Sequence, residues 1–537
     1  MDKNKIKKFA INARKSLRDT TEVQLANLGI TDEKINDELS ISTKDKKYYV
    51  DDNESNALTG KQIGWRKDVV NELKNRGYDD DPKTVFNDFV EEVAYTWFNR
   101  IIAIRFMEVN NYLPSRVSVL TSEEGKAEPD IINEAMEIED DLGGYREAEK
   151  ELISTALTER TPELMDKLYA MLFIKQCDAL SDILSGLFEK TNDYFKLLFT
   201  PNYNRGVIQD LINEIPASYF DVNEEGQVQI IGWLYQYYNS ELKDTAFKKK
   251  KYQTDDIAPV TQLFTPDWIV RYMVENSLGR YWEDILHSRG DERSEKEIAN
   301  EFGWKYYMPT SDHNNTVIDK ELANIEVKDI KFVDPAMGSG HILVYAFDVF
   351  MQIYESEGYS KRDAAVSILK NNLYGLDIDK RAYQLSSFAL LMKAREKDRR
   401  LFRRDYNINL FDVPRSRYDI ENYQNIIDSS SNIDKDKTRS DLKNILDVFK
   451  YGDDLGSIIN ISKDVDISDL KELISSDNDE GQIDFLSDSV KEELENILNV
   501  VEVLNNKYDV SVTNPPYMGG GKMDAPLKKY VQKNYPD

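Results

Sequence analysis

The stretch that decides the fold is Phe332-Val-Asp-Pro-Ala-Met-Gly-Ser-Gly-His-Ile-Leu343. It predicts a short buried strand that ends at Asp334, a glycine loop, and a helix over residues 339–354. In a doubly wound parallel sheet such a loop lies at the carboxyl edge of its strand, where ligands bind. Gly338 and Gly340 allow the backbone to approach a ligand closely. Because an acid repels pyrophosphate but suits a cationic ammonium group, the stretch points to S-adenosylmethionine, which carries an amino group and a sulfonium.

A second predicted strand, Tyr374-Gly-Leu-Asp377, also ends at an acid. A carboxylate in this position can accept hydrogen bonds from both hydroxyls of a ribose, whereas the plainer interpretation of Asp377 is a helix N-cap. The order of glycine loop, strand and acid favours ribose binding. The acid lies 43 residues after Asp334, instead of the roughly 20 residues of a dinucleotide fingerprint. This spacing counts against a nicotinamide dehydrogenase.

The third motif, Asn514-Pro-Pro-Tyr517, follows a predicted strand over residues 509–513. Methylation of an exocyclic amino nitrogen requires that its lone pair leave conjugation with the ring. The side-chain oxygen of Asn514 and the carbonyl oxygen of Pro515 can accept hydrogen bonds from the two N–H groups, and the paired prolines fix the backbone. Tyr517 offers a ring that can stack on an extruded base. The alternative is a simple proline turn, which the two preceding motifs disfavour.

A supporting element, Gln262-Leu-Phe-Thr-Pro-Asp267, precedes an amphipathic helix that is predicted to reach Leu278. Thr265 is expected to be the N-cap of this helix, and Pro266 its first helical residue. Both residues can close over the cofactor as a lid or wall. Taken alone, the element indicates only the start of a helix.

In this order, the four elements resemble the gamma arrangement of amino DNA methyltransferases, in which the Thr-Pro element precedes the glycine loop, the ribose acid and the Asn-Pro-Pro-Tyr motif. By this resemblance, the residues expected to bind S-adenosylmethionine are Phe264, Thr265, Pro266, Asp334, Pro335, Ala336, Gly338, Gly340, Asp377 and Ile378. The catalytic residues expected to hold the target base are Asn514, Pro515, Pro516 and Tyr517.

The same motif also narrows the class of target base. Asn-Pro-Pro-Tyr resembles the adenine-N6 class more than the cytosine-N4 class, which more often begins with Ser. A cytosine-C5 enzyme needs a Pro-Cys nucleophile. It is disfavoured because Cys177 follows Gln176.

Longer segments resemble the PglX (BrxX) family, the adenine-specific methyltransferases of BREX phage-defence systems. These segments are Ala94–Pro114, Ile231–Asn239, Gln262–Gly279 and Asp334–Phe350. The resemblance implies methylation of a flipped-out adenine in double-stranded DNA as a self mark, and action with other BREX proteins in phage exclusion. In that family three more strands and a large target-recognition region follow the tetrapeptide, so the chain is expected to be an N-terminal fragment.

The predicted fold class is α/β, with two domains. Residues 1–255 are predicted to form a helical N-terminal domain, whose clearest helix spans residues 86–112. Residues 256–537 are predicted to form a Rossmann-like S-adenosylmethionine-dependent methyltransferase domain, because strands and helices alternate there; its doubly wound sheet is expected to be incomplete. A polar, acidic insertion at about 413–508 interrupts the alternation. Two acids can contact the cofactor adenine near the end of a third strand, Asp412 or Asp454, and both remain open.

Composition limits the remaining classes. The formal net charge of −28 argues, taken alone, against a nucleic-acid binder. The charge is uneven, because residues 451–500 hold 14 acids against three lysines, and a global charge does not exclude a basic groove elsewhere. A single cysteine excludes an intramolecular disulfide. No metal is expected, because the three histidines, His287, His313 and His341, lack ligand spacing. Without a signal peptide or a long apolar run, a cytoplasmic protein with no membrane partner is expected.

Two rival interpretations remain. A combined restriction–modification enzyme would need a nuclease site, for which Asp319 and Glu326-Val-Lys328 give a loose pattern in a predicted linker. A noncatalytic module that binds DNA or partner proteins through the helical half is the other. A cleavage assay on unmethylated DNA tests the first rival, and calorimetry with S-adenosylmethionine tests the second.

Overall fold

The computed structural model describes residues 1–184, 186–188, 194–224, 229–241, 243, 248–249, 265–310, 320–404, 406–430, 433–461, 465, 467–475, 485–515, 517, 520–521, 523 and 525–535. The chain divides into two compact units, Met1–Asn239 and Ser240–Asp537. The predicted domain boundary at residue 255 lies outside the described residues.

The described part of the first unit is built mainly of helices. They are Lys3–Asn27, Lys61–Asn75, Pro82–Val109, Asp130–Asn133, Glu147–Glu159, Pro162–Ser181, Phe195–Leu198, Gly206–Glu214 and Gln229–Tyr238. A two-residue strand β1 (Lys46–Lys47) pairs antiparallel with β2 (Leu58–Thr59). The helix that begins at Pro162 is capped by Thr161, whose hydroxyl accepts a hydrogen bond from the Leu164 amide (3.4 Å).

The central helix of this unit is Pro82–Val109. Asp81 caps it by accepting a hydrogen bond from the Thr84 amide (3.1 Å). It ends at Val109, three residues before the predicted end at residue 112. Just beyond this end, Asn111 adopts a left-handed backbone with a φ of 56°. Residues that point to different sides of this helix, such as Tyr95 and Trp97, are both buried. From Trp97 to Glu108 every residue of the helix is buried, so this part lies at the centre of a core.

The second unit contains a sheet of four parallel strands. These are β3 (Phe332–Asp334), β4 (Leu373–Asp377), β5 (Asn409–Asp412) and β6 (Val510–Ser511), in the spatial order β5-β4-β3-β6. The chain therefore moves outward from β3 to β5 and then returns to the other side of β3. In doubly wound sheets such a reversal opens a crevice at the carboxyl ends of the two central strands, and ligands bind there. Here those strands are β3 and β6.

Both faces of this sheet are covered. Side chains alternate between the faces of a strand. A Cβ atom added at Gly375 would meet Met337, Leu343 and Leu410. The neighbouring Leu376 faces a different cluster, which it shares with buried residues of the acidic stretch, among them Leu442, Leu446, Leu494 and Ile497. The helix Phe485–Asn505 in that stretch thus packs against the sheet and returns the chain towards β6, as a parallel connection requires.

The other described helices of the second unit surround this sheet. They are Asp267–Val274, Arg280–Ser288, Glu295–Phe302, His341–Ser356, Lys361–Ser367, Lys380–Lys397, Gln424–Ser429, Lys435–Phe449, Gly452–Leu455, Ile467–Ser475 and Ala525–Asn534. π-helical turns at Glu275–Gly279 and Ile368–Asn372 extend two of them. No helix among the described residues combines the length and the apolar composition that a bilayer-crossing segment needs.

Candidate active site

Two carboxyl groups lie at the ends of neighbouring strands. Asp334 closes β3 and Asp377 closes β4, and the two strands pair in parallel. Oδ1 of Asp334 accepts a hydrogen bond from the Ala336 amide (3.2 Å). Asp377 accepts one from the Gly338 amide (2.8 Å) and one from the Asp379 amide (2.9 Å). The hydrogen bond from the Gly338 amide to Asp377 ties the glycine loop to β4. The structure therefore brings both predicted acids to one edge of the sheet.

The electrostatics of these two carboxyls are unusual. Burial raises the pKa of Asp334 to about 7, and the charge of Asp377 adds to the rise. Burial likewise raises the pKa of Asp377 to about 7. Nearby Thr513 lowers the pKa of Asp334, yet neither its hydroxyl nor Oδ2 of Asp334 makes a hydrogen bond of good geometry among the described residues. The edge therefore holds two carboxyl groups whose charged forms are poorly stabilised by the described residues.

The glycine loop needs its glycines for two different reasons. Gly338 has a φ of 53° and Gly340 a φ of 78°, both in the left-handed region. A Cβ atom at Gly340 would lie 2.8 Å from Cβ of Ser386, so this glycine also lets the loop pack on the helix Lys380–Lys397. A Cβ atom at Gly338 would meet nothing within 4 Å. The space above Gly338 is therefore open at the carboxyl edge.

Gly375 is a required residue that the sequence reasoning did not single out. A Cβ atom there would lie 2.6 Å from the sulfur of Met337, within the glycine loop, and 2.9 Å from Leu343. Any side chain would push the loop away from β4. The sequence did contain an indication of this role, because Gly375 lies between Tyr374 and Leu376 inside a predicted strand. A glycine in a strand often marks a place where another segment packs closely against the backbone.

The Asn-Pro turn lies on the other side of β3. Strand β6 pairs with β3, and the Val512 amide donates to the Val333 carbonyl (3.0 Å), which places the following residues beside Asp334. Nδ2 of Asn514 donates a hydrogen bond to Oγ1 of Thr265 (3.0 Å). Two predicted motifs that are 249 residues apart in sequence thus meet.

The aromatic residue of this motif faces solvent. The Tyr517 side chain is 78% exposed, so its ring is available for stacking on a planar partner. Pro515 is exposed as well. Pro516 and Phe264, two other predicted site residues, lie outside the described residues.

The N-cap residues of two helices differ from those suggested by the sequence. The helix after the Thr-Pro element begins at Asp267, so Pro266 rather than Thr265 is its N-cap residue. The prediction was wrong by one position, and the Thr265 hydroxyl contacts Asn514 instead of capping. The helix after β4 is capped by Asp379, which accepts a hydrogen bond from the Arg381 amide (3.0 Å). The capping interpretation of Asp377 is therefore wrong.

The remaining predicted residues flank this edge. Pro335 and Ala336 lie in the turn directly after β3. Ile378 packs at the rim of the acidic stretch, where a Cβ atom at Gly456 would lie 2.7 Å from Ile378 Cγ2. Asp412 pairs in register with Asp377 across the sheet, and Asp454 is buried in the short helix just before Gly456. Both acids thus belong to segments that border the ends of β4 and β5.

The two charged residues of the nuclease pattern that the structure describes are exposed. Glu326 and Lys328 form an exposed ion pair with each other (2.7 Å). Asp319 and His313 lie outside the described residues. Across the described ranges, no group of three or more His, Cys, Asp or Glu side chains is arranged to hold a metal ion.

Comparisons with known proteins find methyltransferases similar to this chain. A family model for the Eco57I restriction-modification methylase matches residues 371–537. The whole chain is 50% identical to the adenine-specific methyltransferase PglX of Lacticaseibacillus casei (strain Zhang) over 539 residues, which are 44% of that protein. It is 34% identical to the adenine-specific methyltransferase BrxX of Escherichia coli O9:H4 (strain HS) over 571 residues, also 44% of that protein.

A more distant match covers 56% of this chain and 24% of the relative, a putative type II restriction enzyme and methyltransferase of Methanocaldococcus jannaschii, at 24% identity. The chain thus spans less than half the length of the first two relatives, which it matches along its whole length. The predicted resemblance to PglX and BrxX is confirmed.

Proposed function

We propose that this chain carries the cofactor and base sites of a site-specific DNA adenine-N6 methyltransferase that uses S-adenosylmethionine. The observation that carries the proposal is the pairing of β6 with β3. This pairing sets an amide side chain, Asn514, beside a buried acid, Asp334, at the switch point of the sheet. A base-holding amide and a cofactor-holding acid are the two halves of an amino-methylating site.

The described residues fit S-adenosylmethionine. Asp334 is fully buried and one of its oxygens makes no hydrogen bond of good geometry, so it suits a cationic ammonium group. Asp377 uses one lone pair on each oxygen for backbone amides, which leaves acceptor capacity for the two ribose hydroxyls. The open space at Gly338 admits a ligand to the loop. The residues proposed to hold the cofactor are Phe264, Thr265, Pro266, Asp334, Pro335, Ala336, Gly338, Gly340, Asp377 and Ile378.

When bound, S-adenosylmethionine supplies an electrophilic methyl group. The side-chain oxygen of Asn514 and the carbonyl oxygen of Pro515 accept hydrogen bonds from the adenine amino group. These bonds favour a nitrogen whose lone pair points out of the ring system, towards the donor. Pro515 and Pro516 hold the accepting carbonyl in place. The exposed ring of Tyr517 stacks on the extruded adenine.

The proposed substrate is double-stranded DNA with one flipped adenine, and the proposed setting is a BREX phage-defence system in the cytoplasm, with other BREX proteins as partners. The similarity of the whole of this chain to parts of PglX and BrxX supports this choice over a noncatalytic module. The exposed pairing of Glu326 with Lys328 gives no support to a nuclease site at this pattern.

The test compares cells that carry the complete gene with cells that carry Asn514→Ala. Methylome sequencing is expected to find N6-methyladenine at one recognition sequence with the parent gene. Removing one preorganised acceptor should lower the methylation rate about 100- to 1000-fold. Calorimetry of the purified variant should give nearly the parental affinity for S-adenosylmethionine, because Asn514 is proposed to contact the base. Near-parental methylation in the variant would rule out this mechanism, and an absence of cofactor binding by the parent would favour the noncatalytic module.

A further inference from the structure

The contact between Asn514 and Thr265 places a buried hydroxyl behind the proposed base site. Thr265 is 8% exposed, and its Oγ1 accepts the hydrogen bond from Asn514 Nδ2 at 3.0 Å. The sequence assigned these residues to different tasks, one to the cofactor and one to the base. In the structure their side chains form a hydrogen bond with each other.

The two ends of a carboxamide are chemically different. Oδ1 only accepts hydrogen bonds, whereas Nδ2 only donates them. An adenine amino group that is about to be methylated offers two N–H donors, so only the oxygen end of Asn514 can hold it. If the amide turned over, its NH2 group would face another NH2 group. Because the two ends have nearly the same size, packing alone selects weakly between these orientations.

We propose that Thr265 is a positioning residue for methyl transfer. By accepting a hydrogen bond from Nδ2, its hydroxyl holds the Asn514 amide with Oδ1 directed to the target amino group. The inference rests on the proposed function, since it names a residue that orients the proposed base-holding amide. It gives Thr265 a role in the rate of methyl transfer in addition to the expected cofactor contact.

The surroundings of Thr265 fit such a role. The hydroxyl is not used as a helix cap, because Pro266 occupies the N-cap position. The proline that follows restricts the backbone of Thr265 to extended conformations. The helix Asp267–Val274 that comes next is anchored through Arg271, whose guanidinium lies 4.8 Å from the centroid of the Tyr345 ring. The hydroxyl is therefore presented from a fixed support.

The test uses the complete gene product and two substitutions with opposite chemistry. Thr265→Val keeps the shape but removes the hydroxyl, whereas Thr265→Ser keeps the hydroxyl. The loss of one hydrogen bond predicts that Thr265→Val lowers kcat on cognate DNA about tenfold at saturating cofactor. The fall in kcat should be larger than the rise in the Kd for S-adenosylmethionine, and Thr265→Ser should restore most of kcat.

The matched control is Ser277→Ala. This substitution removes a half-buried hydroxyl nearby in sequence, which donates to the Met273 carbonyl (2.7 Å), and it should leave kcat unchanged. In the background of Asn514→Ala, Thr265→Val should have no further effect on methyl transfer, because the amide that it orients is gone.

A measurement without DNA separates this inference from the proposed function. In protein labelled with ¹⁵N on asparagine, the Asn514 side-chain NH2 signal is assigned by its loss in Asn514→Ala. It should shift in Thr265→Val and remain in place in Ser277→Ala. If the signal shifts but kcat does not fall, or if Thr265→Val weakens cofactor binding and leaves kcat intact, Thr265 is not a positioning residue. If the parent enzyme methylates no DNA, the proposed function fails as well, and the NMR shift reports the contact alone.

Discussion

Buried carboxylates in the two units have opposite surroundings. In the first unit Glu108 accepts hydrogen bonds from the amides of Val119 and Leu120 (2.7 and 2.6 Å), from the Thr121 hydroxyl (2.6 Å) and from Arg105 (2.7 Å). In the second unit Asp334 is more deeply buried, but among the described residues only the Ala336 amide gives it a hydrogen bond of good geometry. A buried charge is normally paired or saturated with donors. Glu108 satisfies that rule, and Asp334 does not.

The pKa values express the same difference. Burial tends to raise the pKa of Glu91 in the first unit, but the hydrogen bonds and charges of Arg14 and Arg18 outweigh burial and lower it. At the sheet edge burial dominates instead, the neighbouring carboxylates add to its effect, and the pKa of Asp334 and of Asp377 rises to about 7. Partners within the protein thus hold the first-unit carboxylate in its charged form, whereas burial disfavours the charged form of the two acids at the sheet edge. Such perturbed pKa values are common at functional sites.

Removing a saturated carboxylate should have the largest effect. Glu108→Ala leaves Arg105 without its carboxylate and two backbone amides without an acceptor. Breaking a buried pair of this kind costs about 3–5 kcal/mol in the free energy of unfolding. Urea unfolding followed by tryptophan fluorescence measures the loss. Glu137→Ala is the control, since Glu137 is an exposed acid of the same unit. Equal midpoints for the two variants would contradict the assignment of Glu108 to stability.

The same comparison shows what the sequence could and could not predict. The glycine loop, the strands that end at Asp334 and Asp377 and the helix after the loop were predicted within a few residues, because each depends on local pattern. The contact between Thr265 and Asn514 was not predicted, since nothing local links residues 249 positions apart. The packing of the helix Phe485–Asn505 on the sheet was not predicted either, because the acidic composition of residues 413–508 made its apolar positions hard to recognise.

The second prediction concerns Asp377, whose loss should weaken cofactor binding without unfolding the protein. Charge-assisted hydrogen bonds to the ribose are worth about 1.5–3 kcal/mol, so Asp377→Ala should raise the Kd for S-adenosylmethionine roughly 10- to 150-fold. Calorimetry measures the Kd, and thermal unfolding without cofactor measures stability. An unchanged Kd would remove the ribose assignment.

Asp334→Asn should have a smaller effect, because the amide oxygen that replaces the carboxylate still accepts a hydrogen bond. Loss of the charge opposite the cofactor ammonium is expected to raise the Kd about tenfold. In contrast to Glu108→Ala, the variant should unfold at a denaturant concentration no lower than the parent at pH 8, because it removes a poorly neutralised buried charge. A large loss of stability would place Asp334 with the structural carboxylates of the first unit.

The smallest expected effect is a pH dependence of cofactor binding. The paired acids at the sheet edge have pKa values raised to about 7, so the free site holds a proton at mildly acidic pH. A cationic ligand must displace that proton, so affinity rises as pH increases through the folded pKa. For one proton, the gain from about pH 6.5 to about pH 8 is about fourfold.

Calorimetry across this range measures the gain for the parent and for Asp334→Asn. The cofactor amino group titrates identically in both experiments, so the difference between the two profiles reports the protein. A parent profile that is no steeper than that of the variant would mean that Asp334 is already ionised in the free site, as Glu91 is expected to be at neutral pH, and the contrast between the two units would disappear.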